Sequence, residues 1–102
     1  MYRYTTPTIP ITIEDIDFSE VRQFRVAIKN NETELLFLVD GDDPRVDAEH
    51  NTILLALTQE QTARLEAGSG GLQVRIVYNS GSVQATPIAA VSINDVYDEV
   101  IV

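Results

Sequence analysis

The side chains able to do chemistry in this chain are few. His50 is the only histidine, and Asp47 stands three residues before it. A carboxylate that orients an imidazole can make a general base. A base still needs a nucleophile, and the serines, Ser19, Ser69, Ser80, Ser82 and Ser92, all lie outside a G-x-S-x-G elbow. There is no cysteine, which removes disulfides, thiolate nucleophiles and thiolate metal sites. The expectation is a protein that is not an enzyme and carries no cofactor.

The second chemical possibility is a cation site. Asp40, Asp42, Asp43, Asp47 and Glu49 crowd one stretch, with Arg45 as its only basic residue. Calcium takes about six to eight oxygens, and clustered carboxylates on a loop supply them. Asp40-Gly41-Asp42 lacks the later ligand positions and the closing glutamate of an EF-hand loop. The expected reading is a solvated turn, with Asp40, Asp42, Asp43 and Asp47 as the residues a cation would use. Gly68-Ser69-Gly70-Gly71 follows a helix signal and precedes a strand signal, the reverse of the order a phosphate-binding loop needs, and Ser69-Gly70-Gly71 reads as a flexible joint.

These residues must be positioned by a small, mostly β framework. With 102 residues the chain has room for one core and one domain, residues 1–102. Ile9, Ile11 and Ile13 alternate around Pro10, which marks an edge strand. Glu14 to Glu20 reads as an acidic turn anchored by Ile16 and Phe18. From Arg22 to Lys29, Phe24, Val26 and Ile28 face one way while Gln23, Arg25 and Lys29 face the other. Asn30-Asn31 suits a hairpin turn, because asparagine tolerates positive φ. The return run Thr33 to Val39 is apolar on both faces. Further strands are expected at 52–57, 72–78, 83–93 with a break at Pro87, and 96–102.

One short helix is predicted over 59–67. Thr58 with Gln61 makes a capping box, Glu60 and Arg64 fall at i,i+4, and Gly68 offers a left-handed stop. About seven strands with turns at intervals of roughly ten residues point to an all-β, antiparallel two-sheet sandwich, immunoglobulin-like in architecture. A small open barrel is the alternative.

Two apolar features exceed what a lone sandwich needs. Leu36 and Leu38, with Leu54 and Ala56, occupy strand faces that should be polar. The expectation is that the helix covers them; the alternative is a protein–protein interface. Val100, Ile101 and Val102 form a second possible contact, because an apolar end strand can pair with another subunit's edge.

Charge narrows the partners. Seven basic against sixteen acidic residues give a net −9, which disfavours nucleic acid and anionic membranes. The start carries no apolar signal region, and no run approaches the roughly 18 apolar residues of a membrane span. Synthesis in the cytosol is expected, with no membrane association.

The opening Met1-Tyr2-Arg3-Tyr4-Thr5-Thr6-Pro7-Thr8-Ile9-Pro10 resembles that of small proteins encoded in prophage regions of Gram-positive gut bacteria. The likeness continues through Leu57-Thr58-Gln59-Glu60-Gln61-Thr62, Leu72-Gln73-Val74-Arg75 and the closing Asp98-Glu99-Val100-Ile101-Val102. The acidic stretch Asp40 to Glu49 departs from it. The resemblance implies a phage-derived structural protein without catalytic residues. Contacts with itself or with other virion proteins, and incorporation in a virion, are the expectation that follows. The competing expectation is a small immunoglobulin-like binding module that uses residues 40–49 to hold a cation, a basic partner or a carbohydrate.

Overall fold

The structure, a computed structural model, describes residues 1–102. Its centre is the segment whose alternation is cleanest. Strand β2 (Val21–Asn30) turns at Asn31-Glu32 into β3 (Thr33–Asp40), with Asn31 at φ 54°. The hairpin register pairs Asn30 with Thr33 and Gln23 with Asp40. On its other edge β2 pairs antiparallel with β6 (Gly68–Tyr78). Phe24, Val26 and Ile28 of β2, Leu35, Phe37 and Val39 of β3, and Leu72, Val74 and Ile76 of β6 therefore share one buried face.

Strand β6 is long enough to take two partners on its far side. β7 (Val83–Ala85) pairs with its second half and β8 (Ala89–Ile93) with its first. The break between them falls at Thr86-Pro87-Ile88, as the proline predicts. Ser69-Gly70-Gly71 is thus part of a strand, not the flexible joint its composition suggests. The glycines serve close approach: a Cβ on Gly70 would meet the Lys29 carbonyl oxygen at 2.7 Å, and one on Gly71 would meet Ile88 Cγ2 at 2.8 Å.

A smaller sheet closes the core. It runs β1 (Thr8–Thr12), β5 (Thr52–Ala56), β4 (Val46–Asp47), all antiparallel, with Pro10 on edge strand β1. Ile53 and Leu55 are fully buried against the larger sheet, and Phe18 packs on Phe24 with ring centroids 4.9 Å apart. The fold is an all-β antiparallel sandwich of three plus five strands.

The helix is shorter than its sequence signals. α1 covers Gln59–Ala63. Its capping box forms as expected: Gln61 N–H donates to Thr58 Oγ1, and Thr58 N–H to Gln61 Oε1. The end comes at Arg64 rather than at Gly68, because Leu65 turns into the core and is fully buried. Arg3 then donates to the carbonyls of Ala63 and Leu65, satisfying the acceptors a longer helix would have used.

Two further expectations are corrected. A one-and-a-half-turn helix committed to Leu65 and Thr62 does not cover Leu36 or Leu38, which stand about half exposed. Val96–Val102 forms no strand. Arg3 binds Asp95 at 3.0 Å and Glu99 at 3.5 Å, and the Gln59 side chain bonds both backbone groups of Val102. The tail is held by side chains and has no ladder to join. No helix is long and apolar enough to cross a membrane.

Candidate interaction surface

The antiparallel register puts the outward residues of the large sheet into rows. One row reads Leu38, Arg25, Arg75, Ala85 across β3, β2, β6 and β7. The row above it reads Asp40, Gln23, Val77, Val83. The row below starts Leu36, Ala27, Gln73, and the next starts Glu34, Lys29, Gly71, with Ile88 lying over Gly71. Leu36, Leu38, Val83 and Ile88 are 48%, 49%, 48% and 71% exposed. This is a solvent-facing surface that mixes large apolar side chains with a basic centre.

The basic centre is unusual. Arg25 and Arg75 are direct cross-strand partners. Like charges in that position are destabilising. Lys29 on the same face has Glu34 at 3.9 Å, whereas the ion pairs of the molecule include neither Arg25 nor Arg75. Two arginines are therefore direct cross-strand neighbours, and neither is in an ion pair, in a molecule of net charge −9.

Strand β3 is also an edge. Gly41 N–H bonds back to β2 at Arg22, so odd-numbered residues turn their backbone groups inward. Those of Glu34, Leu36 and Leu38 then face outward. The Leu38 carbonyl accepts from Arg45 Nη2 at 3.2 Å, which blunts one end of the edge.

The other expected contact residues are not gathered here. Leu54 is 45% exposed, but it lies on β5 of the small sheet, across the sandwich from Leu36 and Leu38. Val100, Ile101 and Val102 are exposed on the tail beside α1.

Within the acidic stretch one carboxylate is paired with its only arginine. Asp43 grips Arg45 through both carboxylate oxygens, at 3.0 Å to Nε and 2.8 Å to Nη2. The Arg45 side chain and its backbone N–H hold the Asp43 carboxyl down to about 2. The Asp43 carboxylate in turn raises Arg45. Elsewhere, hydrogen bonds from the Ser19 hydroxyl and backbone hold Asp17 below its ordinary value.

Asp47 caps the 3-10 turn Ala48–His50, and its second oxygen lies 2.7 Å from His50 Nδ1. Glu49 joins these two in a cluster with ligand atoms within 4.8 Å of one another. Of the four expected cation ligands, only Asp47 enters that cluster, and both its oxygens already serve His50. Asp40 and Asp42 remain exposed at the rim. The Asp47–His50 pair has the general-base geometry, but the nearest hydroxyl bonded to His50 is that of Thr52, on its backbone carbonyl.

The face as a unit was not visible from the chain order. Arg25 reads correctly as outward, but its meeting with Arg75 depends on a register between strands fifty residues apart. Comparison with family models, with curated proteins and with solved structures returns no match to this chain.

Proposed function

We propose that this chain is a non-enzymatic structural protein of phage or prophage origin. In this reading it is made in the bacterial cytoplasm and built into a particle through protein–protein contacts. The observation that carries the assembly role is the outer face of the large sheet. The inner face is already filled by its own core, and the exposed Leu36, Leu38 and Val83 are not among its members. Exposed leucines side by side on an edge strand support an interaction surface. Phage origin rests on the resemblance of the opening, middle and closing segments.

A binding module using residues 40–49 is the second reading. It draws on Asp40 and Asp42, whose carboxylates are exposed. It loses Asp43 and Asp47, which are engaged by Arg45 and His50.

Light scattering on the full chain, across concentrations up to about 1 mM, tests the assembly reading. A discrete mass above 11.3 kDa supports it. A monomer throughout, together with a melting temperature that rises on adding calcium, favours the binding module.

A further inference from the structure

We infer that the acidic tail of one copy docks on the Arg25–Arg75 face of a second copy. The inference rests on the assembly reading above and names its two surfaces. The face needs an occupant that brings carboxylates to two unpaired guanidinium groups and apolar side chains to Leu36, Leu38 and Val83. In a molecule with sixteen acidic residues, a second copy is a ready source of that charge.

Two acidic segments compete for the role, and they differ. In the 40–49 stretch Asp43 and Asp47 are already bonded, and no exposed large apolar side chain accompanies them. In the tail, Asp98 has no hydrogen-bond or ion-pair partner, and Glu99 has only a 3.5 Å contact with Arg3. Tyr97, Val100, Ile101 and Val102 around them are exposed. The tail thus carries two adjacent carboxylates beside exposed apolar side chains, the counterparts of the arginines and leucines of the face.

Reach is sufficient. Seven extended residues span about 23 Å, whereas four strands spaced about 4.8 Å apart make a face about 14 Å across. The tail of one copy is held at α1 by Gln59 and leaves its own face open, and docking on a second copy exchanges that hold and the Arg3–Glu99 contact for the new one. Because the contact joins unlike patches, it closes as a reciprocal dimer or propagates as a ring or filament. Charge-assisted bonds from guanidinium to carboxylate give it a strong dependence on ionic strength.

The test is a charge exchange in the full chain, read by light scattering. One variant carries Arg25→Glu with Arg75→Glu, the other Asp98→Lys with Glu99→Lys. All four positions lie at the surface, and circular dichroism melting checks that each variant folds. The neutral variant Arg25→Gln with Arg75→Gln stands in should the reversal unfold the sheet.

The inference expects the wild type to associate, and each variant alone to weaken association by at least about tenfold. An equimolar mixture of the two should recover the wild-type mass, because each altered tail then meets an altered face. Wild-type association left unchanged in both variants overturns the tail-on-face contact while leaving assembly standing. Variants that dissociate but fail to recover on mixing overturn the pairing in the same way. A wild type that is monomeric throughout overturns both the contact and the assembly reading.

Discussion

The two faces of the large sheet are built from the same three strands, yet they follow opposite rules. On the inner face Phe24, Val26, Val39 and Val74 are almost wholly buried, and the small sheet completes the cover. On the outer face the same strands present Leu36 and Leu38 to solvent and set Arg25 opposite Arg75. Folding explains the first arrangement. The second is unfavourable for an isolated molecule, in both its apolar exposure and its like-charge pair. The difference teaches that burial in the core accounts for one face of these strands and leaves the residues of the other unexplained by folding.

The comparison can be broken most severely from the inside. Phe24 is fully buried and packs against Phe18 with the rings tilted by 49°. Phe24→Ala should cost about 3–5 kcal/mol, since it loses transfer energy and leaves a cavity. Denaturant unfolding monitored by circular dichroism checks this. A cost near zero would mean that the inner face is not the core.

At the end of the same strand, Asn30 is buried and fully used. Its Nδ2 donates to the Ser69 carbonyl at 3.0 Å, and its Oδ1 accepts from Glu66 N–H at 2.6 Å. It ties β2 to the segment that leads from α1 into β6. Asn30→Ala should cost about 1–3 kcal/mol, the penalty for stranding those backbone groups. Native-state hydrogen exchange should also show a faster amide at Glu66, whose N–H loses its acceptor.

The smallest effect belongs to the acidic stretch. The Asp43 carboxyl is held down to about 2 by Arg45. Its folded value lies below its unfolded one, so the stabilisation is fully present above the ordinary carboxylate range and is lost as pH falls through about 2. Asp43→Asn should therefore melt slightly below wild type at neutral pH, and the gap should close as the pH approaches 2. A gap that stays constant with pH would assign the effect to something other than ionisation.

Much of this arrangement is legible in the sequence where local rules decide. The alternation at Phe24, Val26 and Ile28, the Asn31 turn, the Thr58–Gln61 capping box and the Pro87 break all appear as read. Local rules fail where a distant side chain intervenes. The tail reads as a strand because Val100 to Val102 are apolar, but Arg3 and Gln59, both far away in sequence, take its polar groups instead. The helix stops early for a similar reason, with Arg3 filling the carbonyls at its end. Gly70 and Gly71 look like a joint until the approach of Lys29 and Ile88 is known. For the interaction surface, the leucines were visible singly. The Arg25–Arg75 pair depends on the β2–β6 register, which nothing local specifies.

The central claim is that the outer face serves association and not folding. The most direct measurement is the molar mass and the melting temperature of one variant, Leu36→Ser with Leu38→Ser, beside wild type at the same high concentration. Both side chains are about half exposed, so the account expects the variant monomer to keep its stability within about 0.5 kcal/mol of the wild-type monomer, as surface changes usually do. It expects the mass of the variant to fall to that of a single chain while wild type stays associated. A variant that unfolds, or one that associates as strongly as wild type, would contradict it.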